Sequence, residues 1–143
     1  MANESRGQKS LNVLYEDKFC KLTKEALLLK LYYFPWGNKK IPVRDICYVY
    51  YKKQESRNDL FKTKDWGMTL SPIWWACDIG RSFRGFGQAR YCNVVIDSGS
   101  PIMAGFSVVD FGEFAYHLRQ LLEEGRFRPD LIPDCTTRQR NAN

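Results

Sequence analysis

One stretch of this chain, DFGEFAYHLRQLLEEG at residues 110–125, carries apolar residues at helical spacing, and what precedes it reads as strand and turn. Phe111, Phe114, Ala115, Leu118, Leu121 and Leu122 recur at three- and four-residue intervals and form one stripe. Tyr116, Arg119, Gln120, Glu123 and Glu124 fall largely opposite. Asp110 is placed to accept from an orphan amide at the start, Glu113 to answer it as in a capping box, and Gly125 to supply a left-handed stop. A helix of about four turns is marginal alone, so its stripe needs a surface to cover. The expected fold class is therefore mostly β with one C-terminal α-helix lying on a sheet.

The strands are read from alternation and from turn residues. Residues 11–22 suit a half-buried first strand. Residues 26–34 give the strongest strand, with Leu27, Leu29, Leu31 and Tyr33 on one face and a stop at Pro35-Trp36-Gly37-Asn38. In residues 39–43, Pro42 cannot donate to a ladder, which places that strand at an edge or a bend. Residues 46–53, ICYVYYKK, are β-branched and aromatic, whereas residues 54–64 are polar and mark an exposed connection. Residues 65–90 combine tryptophans with Pro72 and several glycines, and predict one or two short strands on irregular backbone. Residues 91–97 alternate again, with Cys92, Val94 and Ile96 inward and Asn93, Val95 and Asp97 outward. Ser98-Gly99-Ser100-Pro101 turns the chain, and Ile102, Ala104, Phe106 and Val108 share one face of the returning strand. Beyond Gly125, a tail with two prolines is expected to dock through Phe127, Leu131 and Ile132.

At 143 residues the chain fits one domain with one core. Residues 1–10 read as a mobile leader without an apolar signal-peptide centre, and no run of about 18 apolar residues occurs. Five cysteines, an odd number without any CxxC pair, read as reduced thiols in a cytoplasmic protein. His117 is the only histidine, so no metal site is expected. The net charge of +6 is uneven along the chain, with three basic clusters that hold few acids: Lys39, Lys40 and Arg44; Lys52, Lys53 and Arg57; and Arg81, Arg84 and Arg90. Two readings of that charge compete, an anionic partner and plain solvation of a small domain.

The run ALLLKLYYF, the basic turn into KKIPVRDI with an apolar residue after Asp45, the VVID…IMAGFSV hairpin and the helix DFGEFAYHLRQLL together resemble the pleckstrin-homology superfold. The resemblance covers roughly residues 11–125 and leaves 126–143 as a tail. It implies a bent antiparallel sheet, a partly open barrel of six to seven strands, capped by the helix. Members of that superfold bind phosphoinositides, phosphotyrosine or other peptides, or serve as scaffolds, and fold alone does not choose among them.

The first reading of function is a non-catalytic module that binds a protein or peptide. The resemblance implies a groove between helix and strand that takes an extended peptide as an added strand. Trp66, Trp74 and Trp75 are candidates for an exposed aromatic patch there, with Tyr116, Arg119 and Gln120 bordering it; the competing reading is that the tryptophans cap the barrel ends. A second reading is weak contact with acidic phospholipid through Lys18, Lys21 and Lys24. Leu27-Leu28-Leu29-Lys30 stands where phosphoinositide-binding members carry a basic pair. A third is non-specific single-stranded nucleic acid, because in IGRSFRGFGQARY the residues Arg81, Arg84 and Arg90 alternate with Phe83, Phe86 and Tyr91. No phosphate loop, nucleophile elbow or paired catalytic group is present, so neither catalysis nor a cofactor is expected.

Overall fold

The first reversal of the chain is made by one side chain. Asp17 Oδ1 accepts from the Phe19 N–H (2.7 Å) and the Cys20 N–H (2.9 Å), the local carboxylate-to-amide pattern that competes with a continuing strand. The stretch expected as one strand is therefore a hairpin, β1 (Val13–Glu16) and β2 (Cys20–Thr23). The computed structural model describes residues 12–33, 37–53, 67–68, 72–78, 91–133 and 137. β3 (Ala26–Leu29) follows and ends at Leu31, whose φ of 51° breaks the alternation. Leu27, Leu29 and Tyr32 are buried as a result, while Leu31 and Tyr33 face out, contrary to the face expected from a straight strand. β4 (Lys39–Pro42) pairs with β3 at the edge of the sheet, as Pro42 requires.

After a tight turn at Val43–Asp45, β5 (Tyr48–Lys53), β6 (Gly67–Met68), β7 (Ile73–Trp75), β8 (Cys92–Asp97) and β9 (Met103–Val108) complete the run before the helix. The helix α1 spans Phe111–Arg119, and a final strand β10 spans Phe127–Pro129. The strands form a four-stranded antiparallel sheet, β1-β2-β3-β4, and a six-stranded mixed sheet, β10-β5-β8-β9-β7-β6. Among the described residues they do not close into a barrel. The expected all-antiparallel sheet of six to seven strands is corrected by two parallel pairings, β10 with β5 and β7 with β9. Both join segments distant in sequence, which alternation within a segment cannot reveal.

The start of α1 follows its sequence. Asp110 Oδ1 accepts from the Glu113 N–H at 3.1 Å and caps the first turn. Its end does not. The helix stops at Arg119, and the amides of Leu121 and Leu122 both donate to the Leu118 carbonyl. Gly125 is not in the left-handed region; it lies in a tight turn, Glu124–Arg126. Leu121 and Leu122 keep their stripe positions by packing against the core from that turn, so the apolar pattern outlasts the helix.

The main core takes Tyr15, Leu22, Leu27 and Leu29 from the first sheet, Val49, Val94, Ile96 and Phe106 from the second, and Phe114 and Leu118 from α1. Full burial of each such side chain contributes about 1.5–3 kcal/mol relative to exposure. A second cluster holds Tyr50, Ile73, Trp75, Val95, Met103 and Ile132. Val49 and Tyr50, like Val94 and Val95, are successive strand residues and point to opposite faces. The six-stranded sheet is thus covered on both sides, and every residue of β8 and β9 is buried. Asn93, Val95 and Asp97, expected to face outward, are enclosed for that reason.

Candidate functional site

The region beside the helix is built from β5, α1 and β10. Phe111 stacks on Tyr51 with ring centroids 4.3 Å apart, which fixes the start of the helix over β5. One turn beyond the middle of α1, Arg119 Nη2 donates to Tyr51 Oη at 3.3 Å, and its Nε lies 3.3 Å from a Glu124 carboxylate oxygen. The Glu124–Arg126 turn then returns the chain along β5, with Phe127 opposite Val49, Arg128 opposite Tyr50 and Pro129 opposite Tyr51. Phe127 is 6% exposed, and the Arg119 guanidinium sits 5.2 Å from its ring centroid. The edge of β5 next to the helix is therefore occupied by an extended segment of the chain itself, anchored by an aromatic ring. Arg119 borders this groove; Tyr116, on the exposed side of the same helix at 64%, and Gln120, which caps its end, are both exposed. The tail docks through Phe127 and Ile132, both buried, and Leu131 packs beside them, as expected from the sequence; the parallel pairing that seats Phe127 on β5 was not among the expectations.

The tryptophans do not share a surface among the described residues. Trp75 has 0% exposure and lies directly over Gly105, where an added Cβ would come within 2.5 Å of its ring. A core location of this kind leaves no surface for a ligand. Trp74 is half-buried, and its Nε1–H donates to the Tyr32 carbonyl at 2.8 Å. Trp66, Arg81, Arg84 and Arg90 lie outside the described residues.

The three lysines divide between the two ends of β2. Lys18 belongs to the β1–β2 turn, with its Nζ 5.1 Å from the Phe19 ring centroid and 5.0 Å from that of Tyr91. Lys21 and Lys24, with Asn12, Thr23 and Glu25, line a cavity of about 410 Å³ at the other end. A second cavity, about 620 Å³, opens between the β4–β5 corner and the segment that leaves α1, and is lined in part by Arg44, Tyr48, Arg126 and Arg128. Arg44 belongs to one of the basic clusters noted in the sequence, but Arg126 and Arg128 were not site candidates, because they are brought to Arg44 only by the parallel pairing of β10 with β5.

The titratable groups with displaced pKa values serve the fold. Burial pushes the Cys92 thiol up to about 12. It also raises Cys20 well above the usual thiol range, with the Asp17 charge and hydrogen bond adding to the effect. Burial likewise raises the Tyr15 phenol, and its hydrogen bond to Asp17 works in the same direction. Such groups stay neutral and unreactive near pH 7. Among the described residues no group of three or more His, Cys, Asp or Glu is placed to hold a metal ion. No helix among them is long and apolar enough to cross a membrane. No protein-family model, curated protein or solved structure matches the chain.

Proposed function

We propose that the protein is a non-catalytic binding module that takes an extended segment of a protein partner along β5, beside α1. The observation that carries this reading is β10. The chain's own Phe127–Pro129 pairs with β5 and seats an aromatic ring beneath Arg119, so the groove has the length, hydrogen-bonding edge and anchor pocket that strand addition uses. Tyr116 and Gln120 offer exposed contacts on its helical wall. A partner segment replaces β10 and places its own apolar residue where Phe127 sits. The order of strands followed by a helix that packs on both β1 and β5 supports a pleckstrin-homology-like arrangement, opened into two sheets. A reducing, cytoplasmic setting accords with the buried free thiols of Cys20 and Cys92. Acidic phospholipid is the second reading, supported by Lys21 and Lys24 at one cavity.

The test is a titration of isotope-labelled protein carrying Phe127→Ala, or the milder Phe127→Leu, with a synthetic peptide of sequence RFRPDLIP. Saturable amide shifts centred on residues 49–51 and 116–120, tighter in the variant than in the native chain, are expected. Absence of saturable binding in both variants, or shifts centred elsewhere, overturns the reading.

A further inference from the structure

We propose that the cavity between the β4–β5 corner and the segment leaving α1 is a binding site for a phosphate monoester, held by Arg44, Arg126 and Arg128. Its volume of about 620 Å³ lies in the ordinary range of small-ligand clefts, roughly 300–1,000 Å³. Its chemistry is more informative than its size. Arg126 Nη1 donates to the Ile46 carbonyl at 2.6 Å. Arg128 Nη1 donates to the carbonyls of Gly125 and Phe127, and its guanidinium lies 4.9 Å from the Tyr48 ring centroid. Two guanidinium groups are thus oriented by backbone oxygens and an aromatic face. Neither has a carboxylate partner among the described residues, so their charge is not cancelled, and each keeps most of its N–H donors.

Arg44, on the opposite wall, has a side chain 85% exposed and lies 3.9 Å from the Asp45 carboxylate, a long and solvent-screened contact. Among the described lining residues, Glu123 is the one carboxylate. The neighbouring Glu124 is engaged by Arg119 instead. The described lining residues therefore carry two positive charges in excess, which matches the charge of about −1.5 to −2 on a phosphate monoester near pH 7. A monoester also offers three acceptor oxygens to three planar forks, the pairing that arginine favours over lysine. Its lining residues are different from those of the cavity at Lys21 and Lys24, and the proposal is independent of the peptide reading.

The experiment is an amide-shift titration of the full chain with phenyl phosphate at low salt, using the native protein, Arg44→Gln and the double variant Arg44→Gln, Arg128→Gln. Saturable shifts at residues 46–48 and 125–128 are expected, with about tenfold weaker binding for Arg44→Gln and a larger loss for the double variant. The exposed Arg44 side chain is removed without touching the core, so its effect reads the site and not the fold. Vesicles of phosphatidylcholine with and without phosphatidic acid separate the sources of the ester. Cosedimentation lost in the double variant supports a lipid-borne ester, whereas phenyl phosphate binding without cosedimentation supports a soluble one. No saturable binding of phenyl phosphate, shifts centred on Lys21 and Lys24, or equal binding by the double variant overturns the proposal.

Discussion

Replacing Asp17 by Asn tests whether a single carboxylate ties the first hairpin to the start of the helix. Oδ1 accepts from the Phe19 and Cys20 amides. Oδ2 accepts from Tyr15 Oη–H at 2.6 Å and from the Val109 N–H at 2.9 Å, and Tyr15 Oη in turn accepts from the Asp110 N–H at 3.0 Å. Tyr15 also packs edge-on against Phe114 at 5.6 Å, so the same residue joins the polar network to the core. An asparagine keeps one acceptor for the turn but presents an NH₂ group to the donors from Tyr15 and Val109. Loss of two charge-assisted bonds, each worth about 1.5–3 kcal/mol, is partly offset because Asp17 is half-buried and water reaches it, so the expected cost is about 2–3 kcal/mol. For a chain of this size that lowers the melting temperature by roughly 8 °C. Urea unfolding of the native chain, Asp17→Asn, Tyr15→Phe and the double variant gives the measurement as a cycle. A coupling of about 1 kcal/mol or more between positions 15 and 17 is expected. A cost below about 0.5 kcal/mol for Asp17→Asn, or strictly additive effects, refutes the argument.

Gly105→Ala should destabilise the protein by about 2–3 kcal/mol, since the new methyl meets the enclosed ring of Trp75 at 2.5 Å and the ring has nowhere to go. Gly112→Ala should do the opposite, by up to about 1 kcal/mol. Position 112 is helical and exposed, and the nearest atom to an added Cβ is Asp110 Oδ1 at 3.5 Å. Thermal unfolding of the two variants checks both signs together. Alkylation at pH 8, mapped by peptide mass, should label Cys47 in the native protein and reach Cys20 and Cys92 only after unfolding. Raised thiol pKa values also fix the sign of the alkaline limit. The stability that neutral Cys20, Cys92 and Tyr15 contribute is complete below their unfolded pKa values, about 8.5 for thiols and 10 for the phenol, and is lost as pH rises above them. An unfolding free energy that stays flat from pH 8 to about pH 11 contradicts this.

What could be read from the sequence was what is decided locally. The cap at Asp110, the edge position of β4 and the turn at Gly99, with φ of 82° and its amide on Asp97 Oδ1, each depend on residues a few positions apart. The end of α1 depends instead on where Leu121 and Leu122 find the core, and the stripe alone extends it too far. For β8 and β9 a signal was present. Near-continuous apolar runs such as VVID and MAGFSV denote strands covered on both faces, and alternation was the wrong template for them. Gly105 was a further sign, because an isolated glycine in a strand marks the close approach of another group, here Trp75. Of the candidate site, the helical wall at Tyr116, Arg119 and Gln120 could be placed from periodicity. Its occupant, three residues in a parallel pairing, could not.

That occupant sets a limit on how tightly any partner is held in the proposed groove. Phe127 is 6% exposed, and its burial, together with the Arg119 contact, is worth about 2–3 kcal/mol. Its segment is tethered by a short connection from α1 and held again beyond the strand, where Ile132 is buried in the second cluster. A partner segment with equal contacts must first displace β10, so its apparent affinity falls by the fraction of molecules with the groove open, about a hundredfold for 2.7 kcal/mol. Phe127→Ala removes most of that penalty without altering β5 or α1, and a peptide should therefore gain affinity by a factor approaching a hundred. A partner whose affinity is unchanged by Phe127→Ala does not enter this groove, whatever else it touches.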